Sequence, residues 1–271
     1  MSQLKLDEHL VNRTKVMGIV NVTPDSFSDG GNYLEAKSAI VHAYKLIEEG
    51  ADILDVGGES TRPGHQAVPW DEEWRRLQPV LEELTRHTAV PVSVDTTKAR
   101  VAHKALNLGV SIINDIWGGL VDSDMLPLVA DAGCTYVWMH NRHEPAHAHG
   151  FDVLLEETKA GIEACLAAGI KSHHIWIDPG VGFGKTHQQN LMVLRRLPEY
   201  CAFPYPVLLG TSRKRVIGQT LDLPIDERLE GSLATVSQGV ASGVHAVRVH
   251  DVKESARTCR MMEAILGACD D

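Results

Sequence analysis

Short runs of aliphatic and β-branched residues recur along the chain, and each is followed by polar residues or glycine. Eight such runs predict strands at 16–22, 52–58, 90–96, 111–119, 135–140, 175–180, 206–212 and 246–251. Between them, apolar residues spaced three and four apart predict amphipathic helices, as at 39–50, 72–87 and 153–169. Near-continuous apolar strands that alternate with helices are typical of a parallel sheet covered on both faces.

The number of repeating units decides between the folds that contain such a sheet. Eight strand and helix units in 271 residues predict an α/β fold of the (β/α)8 TIM-barrel type. An open, doubly wound sheet is the alternative, because it has the same alternation of elements. We find no linker, low-complexity tract or change in composition, so the sequence predicts a single domain over 1–271 with a short N-terminal extension at 1–13.

Composition narrows the range of partners. The formal net charge is -10 at pH 7, so the chain has no overall positive field for nucleic acid or an anionic membrane. Its five cysteines are scattered and form no C-x-x-C pair, which argues against a disulfide framework and a zinc site. The sequence also has no long uncharged apolar run and no apolar signal region at its start. We therefore expect a cytoplasmic protein without nucleic-acid or membrane partners.

Polar side chains collect at the carboxyl ends of the predicted strands, which in a TIM barrel meet at one mouth where active sites lie. In AVRVHD, Val247 and Val249 share the face that packs on helices, so Arg248 and His250 are expected to point inwards. A single polar residue after a strand can also be a helix cap or a turn residue. The set is Asn21, Asp55, Glu59, Asp95, Asn114, Asp115, Asp178, Ser212, Lys214, Arg248 and His250.

Two chemical groups stand out among these residues and their neighbours. Several cations at the mouth of an acidic protein favour an anionic ligand, most naturally a phosphate. They are Arg62, Lys214, Arg248 and His250. Carboxylates and an amide can accept hydrogen bonds from the N–H edge of a flat heterocycle. They are Asp95, Asn114 and Asp178. Together they predict a site for a heterocycle that carries a phosphate.

Two other segments suggest chemistry that we do not favour. PGVGFGKT at 179–186 has Pro179 where a P-loop requires glycine, and it does not match the dinucleotide-binding pattern either. HNRHEPAHAHG at 140–150 contains four histidines that could bind a metal. Its polar composition and Pro145 predict an exposed loop instead, where imidazoles seldom hold a fixed ligand geometry.

The motifs taken together resemble those of the dihydropteroate synthase family. The matching segments are MGIVNVTPDSFSDGG (17–31), GADILDVGGESTRPG (50–64), SVDT (93–96), INDIWGG (113–119), DPGVGFGK (178–185), GTSRKR (210–215) and RVHD (248–251). They follow one another along nearly the whole chain, and two of them are long and specific. The resemblance implies a TIM barrel, in agreement with the strand pattern.

The resemblance also implies a reaction and a role for each matched residue. The reaction condenses 6-hydroxymethyl-7,8-dihydropterin diphosphate with 4-aminobenzoate to give 7,8-dihydropteroate and pyrophosphate, with Mg²⁺ as cofactor. The implied pterin-binding residues are Asp95, Asn114, Met139, Asp178 and Lys214. Those implied for the diphosphate side are Thr61, Arg62, Arg248 and His250, with Asn21 as the Mg²⁺ ligand. Those implied for the 4-aminobenzoate pocket are Pro63, Phe183 and Ser212.

Other expectations follow from the same resemblance. The catalytic residues would be Asp95, Lys214, Arg248 and His250, the flap would be NVTPDSFSDGG (21–31), and the enzyme would be a homodimer. The segment after the fifth strand departs from the family pattern, because it retains Met139, His140 and Pro145 but lacks a glycine. Two alternatives stay open: a pterin-binding methyltransferase barrel and a non-catalytic pterin-binding module.

Overall fold

Strands and helices alternate throughout the described part of the chain, which in this computed structural model comprises residues 13–22, 31–59, 68–143 and 150–267. The strands are β1 (Lys15–Asn21), β2 (Ile53–Gly57), β3 (Val92–Asp95), β4 (Ile112–Asp115), β5 (Thr135–Met139), β6 (Ile175–Asp178), β7 (Leu208–Gly210) and β8 (Ala246–Val249). The helices of these residues are α1 (Gly31–Glu48), α2 (Trp70–His87), α3 (Ala99–Asn107), α4 (Met125–Ala132), α5 (Phe151–Ala167), α6 (His187–Arg195), α7 (Leu197–Tyr200), α8 (Arg215–Leu221), α9 (Leu229–Ala241) and α10 (Val252–Ile265).

The strands form one parallel sheet that closes on itself. Its order is β6-β5-β4-β3-β2-β1-β8-β7, so the first strand pairs with both the second and the last. A parallel bridge between Ile177 and Val207 joins the two remaining edges. The predicted TIM barrel is confirmed, and the doubly wound alternative is excluded because an open sheet has no pairing between its first and last strands.

Most elements differ from the prediction only at their ends, and β4 shows why. The sequence pattern extended this strand to 119, whereas the strand ends at Asp115. The Asp115 carboxylate accepts hydrogen bonds from the backbone N–H groups of Trp117 at 2.9 Å and Gly119 at 2.8 Å, which turns the chain. Asp115 is therefore a turn residue, one of the roles considered for isolated polar residues after a strand.

Two apolar layers hold the barrel. The larger one lies between the strands and the helices and includes Val247 and Val249, as the alternation in β8 predicts. The smaller one fills the lower half of the barrel interior. It consists of Met17, Ile53, Ile112, Val137, Leu208 and Ala246. Because side chains alternate along a strand, the inward residues two positions further on form the next layer, at the carboxyl ends.

That next layer is polar and forms the bottom of the mouth. Ile53 is followed inwards by Asp55, Ile112 by Asn114, and Ala246 by Arg248. The apolar layer beneath closes the barrel, so these groups are reached only from the carboxyl end. Among the described residues, no helix combines the length and apolar character needed to span a membrane.

Candidate active site

Arg248 is at the centre of the mouth and joins two buried carboxylates. It donates from Nε to Asp55 Oδ2 at 2.6 Å and from Nη2 to Asp95 Oδ2 at 2.7 Å. Asn114 donates from Nδ2 to the same Asp55 oxygen at 3.1 Å. The strand register explains this grouping. Gly57, two residues after Asp55 on β2, pairs with Asp95 on β3, and Asp95 pairs with Asn114 on β4. The inward orientation predicted for Arg248 is confirmed.

Asp95 remains only partly satisfied by these contacts. Its Oδ1 atom is buried and has no hydrogen-bond partner among the described residues. Burial raises the pKa of Asp95 to about 7, although the charge of Arg248 opposes the shift. A buried carboxylate oxygen without a partner costs free energy. The carboxylate can stabilise positive charge that develops near it.

Asp178 and Lys214 form the opposite side of the mouth, with Gly210 between them. A Cβ atom built on Gly210 would lie 3.7 Å from Asp178 Oδ2 and 3.8 Å from Lys214 Nζ. Asp178 Oδ1 accepts a hydrogen bond from the Gly180 backbone at 2.7 Å. Burial raises the pKa of Asp178 and lowers the pKa of Lys214 to about 8, while the attraction between the two opposes both shifts.

Lys214 also contacts the segment that follows β6. Its Nζ atom donates to the Val181 carbonyl at 2.6 Å and lies 4.5 Å from the centroid of the Phe183 ring. Met139 is buried at the end of β5, where it pairs with Asp178 in register. The predicted residues Met139, Phe183 and Lys214 thus line one side of the mouth and give it an apolar wall beside its charged floor.

Ser212 and His250 lie higher, on the turns that follow β7 and β8. The His250 backbone N–H donates to Ser212 Oγ at 3.2 Å, and the ring Nδ1 lies 3.0 Å from the same oxygen. Between Ser212 and Lys214, Arg213 has a φ of 58°, which is unusual for a residue other than glycine. Its guanidinium forms an ion pair with Asp251, so the two turns are joined.

Asn21 is exposed at the carboxyl end of β1, where it pairs with Gly57. Its amide offers one hard oxygen donor at the rim of the mouth. Within the described residues, no group of three His, Cys, Asp or Glu side chains is arranged to hold a metal ion. Mg²⁺ commonly takes few protein ligands and completes its shell with substrate phosphates and water. The donor at Asn21 therefore fits a Mg²⁺ ion bound together with a diphosphate.

Three predicted residues and most of the predicted flap lie outside the described residues. They are Thr61, Arg62 and Pro63, and residues 23–30 of NVTPDSFSDGG. The stem just before Thr61 is described. Lys98 donates to Glu59 and to the buried Glu73, both at 2.5 Å, so that β2 is joined to α2 and to the start of α3.

The histidine-rich segment differs from the expected exposed loop at its first residue. His140 is buried, its Nε2 lies 2.6 Å from Glu157, and its Nδ1 lies 2.8 Å from Lys185 Nζ. Both ring nitrogens are therefore engaged, and His140 is not a metal ligand. The His143 ring lies 4.4 Å from that of Trp117, while His147 and His149 lie outside the described residues. The prediction of an exposed loop was wrong for His140, because this residue directly follows β5 and its backbone N–H still donates to the Asp178 carbonyl of β6 at 3.0 Å.

Several supporting residues of the site could not be assigned from sequence patterns. Asp55 was placed at the mouth without a role, yet it binds both Arg248 and Asn114. Residue spacing and periodicity could not indicate the contacts of Arg213 and Lys185, because these contacts join turns that are distant in the chain. A partner for Asp55 could have been expected, because a carboxylate at an inward strand position requires a cationic or hydrogen-bonding partner.

Comparison with known proteins identifies the family. Residues 17–250 match the family model described as pterin binding enzyme, a range that includes every described site residue. The dihydropteroate synthase of Bacillus subtilis is 49% identical over 254 residues, which cover 94% of this chain and 89% of that protein. The chain belongs to the dihydropteroate synthase family. Members of this family are transferases of folate synthesis, and this chain is one of them.

Solved structures of dihydropteroate synthases have the same barrel. The Clostridium difficile enzyme, determined with pteroic acid, has a TM-score of 0.90 and 47% identity, and the match covers 93% of this chain and 97% of that one. The Xanthomonas albilineans enzyme, determined with 4-aminobenzoic acid, has a TM-score of 0.87 and 43% identity over 94% of this chain and 93% of that one. Both the fold and the family inferred from the sequence are confirmed.

Proposed function

We propose that the mouth of this barrel binds 6-hydroxymethyl-7,8-dihydropterin diphosphate and 4-aminobenzoate and joins them into 7,8-dihydropteroate, with release of pyrophosphate. The observation that carries this proposal is the cluster of Arg248, Asp55, Asp95 and Asn114 at the bottom of the mouth. It brings a guanidinium, two buried carboxylates and an amide together, and such groups can bind the polar edge of a heterocycle. Relatives determined with pteroic acid and with 4-aminobenzoic acid support the same assignment.

The pterin would lie on the floor of the mouth. Asn114 uses its Nδ2 to bind Asp55, which leaves its carbonyl oxygen to accept a ring N–H. Asp178 uses one oxygen to bind the Gly180 backbone and has the other directed towards the space beside Gly210. The buried Met139 side chain would pack on the face of the ring. Amide and carboxylate acceptors on two sides suit a heterocycle with several N–H donors.

The diphosphate would extend from the pterin towards the rim, where His250 and Arg62 would bind it. Arg248 already donates from two of its nitrogens to carboxylates, so it would contribute through its remaining nitrogen, Nη1. Asn21 would hold a Mg²⁺ ion, which would lower the negative charge on the leaving phosphate.

The second substrate would enter above the pterin. Phe183 and Ser212 would contact the 4-aminobenzoate ring and carboxylate, with Pro63 approaching from the segment after β2. Lys214 would lie between this pocket and the pterin that it binds. The Lys214 ammonium lies beside the Phe183 ring and donates to the Val181 carbonyl. It can therefore contact the aromatic ring of a substrate and one of its polar groups at the same time.

The proposed reaction breaks the bond between the pterin methylene carbon and the diphosphate oxygen. Both electrons leave with pyrophosphate, whose charge His250 and Arg248 would stabilise. Positive charge then develops on the methylene carbon and the pterin ring, where the Asp95 carboxylate can stabilise it. The amine of 4-aminobenzoate attacks that carbon and afterwards loses a proton to solvent. No protein nucleophile is needed.

The test is an assay of pyrophosphate release from the pterin diphosphate, with and without 4-aminobenzoate and Mg²⁺. The proposal expects release that depends on both additions, together with formation of dihydropteroate. A non-catalytic pterin-binding module would bind the pterin and release nothing. A methyltransferase barrel would be inactive in this assay and would instead consume a methylated folate.

We also propose that the enzyme is a cytoplasmic homodimer. Val236 and Val240 on α9 are buried within the chain, so they are unsuited to an interface. Met261 and Ile265 on α10 are 62% and 63% exposed, and Leu266 beside them is 55% exposed. Such a patch supports self-association. Light scattering should give twice the chain mass, and Met261→Glu with Ile265→Lys should give the monomer.

A cytoplasmic location is supported by the free thiols. The four described cysteines, Cys134, Cys165, Cys201 and Cys259, form no disulfide. Proteins that remain in a reducing compartment commonly retain unpaired cysteines. Fractionation of the source cells would test this location.

A further inference from the structure

Lys185 follows the glycine-containing segment 180–184 and precedes α6, and its ammonium lies among carbonyl groups. Its Nζ atom donates to Gly180 O at 2.9 Å, to Phe183 O at 3.1 Å and to His140 Nδ1 at 2.8 Å, with His140 O at 3.3 Å. Burial lowers the pKa of Lys185 to about 7, and the charge of Asp178 opposes this shift. The hydrogen bonds to three carbonyl groups and to the His140 ring join the parts of the chain around the lysine.

The segment that Lys185 binds crosses the end of β5 at very short range. A Cβ atom on Gly180 would lie 1.9 Å from the His140 carbonyl oxygen, and one on Gly184 would lie 2.6 Å from the Arg142 carbonyl oxygen. Both glycines have positive φ values, of 65° and 52°. The two backbones therefore meet with no side chain between them, and the lysine ammonium bonds to both.

This same segment carries three groups of the site. The Gly180 N–H binds Asp178, the Val181 carbonyl accepts from Lys214 at 2.6 Å, and the Phe183 ring lies beside the Lys214 ammonium. A shift of the segment would move Phe183 and the position of Lys214 together. The floor around Asp95 and Arg248 would remain, because their hydrogen bonds do not involve 180–184. Asp178, although Gly180 binds one of its oxygens, would also remain in place, because it belongs to β6 and pairs there with Met139.

A chain of hydrogen bonds continues from Lys185 to the surface. Because Lys185 donates to His140 Nδ1, the ring proton lies on Nε2, which donates to Glu157 at 2.6 Å. Burial and the neighbouring Lys185 charge lower the pKa of His140 to about 4, so the ring is neutral at pH 7 and can accept this bond. Arg142 also binds Glu157, which fixes the carboxylate on α5.

We propose that Lys185 is a positioning residue for the second substrate: by binding Gly180, Phe183 and His140 together, it holds Phe183 and Lys214 in the geometry that 4-aminobenzoate requires. The inference rests on the proposed function of the mouth. Lys185 contacts neither substrate in this arrangement. It acts through Phe183 and through the Val181 carbonyl that binds Lys214.

The experiment compares Lys185→Met with Lys171→Met, an exposed lysine remote from the mouth, in the steady-state assay of pyrophosphate release. We expect Lys185→Met to raise the KM for 4-aminobenzoate at least tenfold. The Kd of the pterin diphosphate, measured without 4-aminobenzoate, should change less than threefold. Lys171→Met should leave both constants unchanged. If the wild-type chain releases no pyrophosphate, the proposed function fails, whereas the positioning role fails only through the variant.

Hydrogen exchange provides a second readout. In Lys185→Met, the amides of 180–184 should exchange at least tenfold faster, with the strands β1 to β4 unchanged. The proposal would be overturned if the KM for 4-aminobenzoate and the Kd of the pterin diphosphate changed by the same factor. An unchanged KM for 4-aminobenzoate would overturn it as well. If Lys185→Met does not fold, Lys185→Gln is measured in the same way. The Gln amide is shorter and has only two donor hydrogens, so it cannot bind Gly180, Phe183 and His140 together, and it must raise the KM for 4-aminobenzoate more than the Kd of the pterin diphosphate.

Discussion

Arg248 donates a hydrogen bond to one oxygen of Asp95, at 2.7 Å, while the other oxygen of this buried carboxylate has no partner within the described residues. A buried carboxylate oxygen without a partner leaves negative charge that no hydrogen bond balances. In the proposed reaction this charge stabilises the positive charge that develops as the carbon–oxygen bond breaks. Asp95→Asn removes that charge with little change in shape. We expect kcat to fall on the order of 10²-fold, as measured by pyrophosphate release.

Binding should change much less than turnover in this variant, because Asn114 and Asp178 would still hold the pterin ring. We expect the Kd of the pterin diphosphate to rise by less than tenfold. Asp131→Asn, an exposed change on α4, is the matched control. Unaltered kcat in Asp95→Asn would remove Asp95 from the catalytic role.

The dependence of the rate on pH follows from two shifted groups. Burial raises the pKa of Asp95 to about 7, so the ionised form increases as the pH rises through 7. Burial lowers the pKa of Lys214 to about 8, so its positive charge is lost as the pH rises through 8. If the reaction needs Asp95 ionised and Lys214 protonated, kcat/KM should have a narrow maximum between these values.

Variants assign the two limbs of that profile. The rise below pH 7 should disappear in Asp95→Asn, while the fall above pH 8 should move to higher pH in Lys214→Arg, since arginine retains its charge. The substrate diphosphate also titrates in this region, and a limb that came from the substrate alone would be the same in the wild-type chain and in both variants. A rising limb that persists in Asp95→Asn would assign that limb to the substrate.

Periodicity was sufficient to predict the barrel, because strands buried on both faces must be apolar and eight of them alternate with helices. Alternation within β8 was sufficient to orient Arg248, since Val247 and Val249 must face the helices. These inferences depend on local sequence alone. The ends of the strands were less predictable, as β4 shows: Asp115 ends the strand by binding two backbone N–H groups beyond it.

Contacts between distant turns could not be predicted from the sequence. Lys185 and His140 are 45 positions apart, and their hydrogen bond depends on the close crossing of two backbones at Gly180. Arg213 and Asp251 are likewise joined across two strands. Which residue binds which carbonyl depends on the geometry of the closed barrel, and spacing carries no information about it.

Asn21 provides a test of the proposed Mg²⁺ site that is independent of the pterin pocket. If its amide oxygen is one of few protein ligands, Asn21→Ala should raise the Mg²⁺ concentration needed for half-maximal activity by about tenfold, in the range of one lost ligand interaction. Binding of 6-hydroxymethylpterin, which lacks the diphosphate, should be the same in the variant and the wild-type chain. A weaker binding of this pterin would place Asn21 in contact with the ring instead.

Gly210 tests where the pterin lies. It is in β7, where an extended backbone accepts any residue, and a Cβ atom there would make only ordinary contacts of 3.7 Å with Asp178 and 3.8 Å with Lys214. Gly210→Ala should therefore fold normally, with a Tm within about 2 °C of the wild-type value, which corresponds to less than about 1 kcal/mol. Because the added methyl group lies between two groups proposed to contact substrate, 6-hydroxymethylpterin should bind at least about tenfold more weakly, or about 1.4 kcal/mol.

The control for Gly210→Ala is Gly150→Ala, where an added Cβ has no described atom within 4 Å. Calorimetry with 6-hydroxymethylpterin should give an unchanged Kd for the control and a raised Kd for Gly210→Ala. A pterin that binds both variants equally would not reach the space between Asp178 and Lys214. The ring would then lie nearer to Asp95 and Asn114, and Asp178 would act on the site only through the Gly180 backbone that it binds.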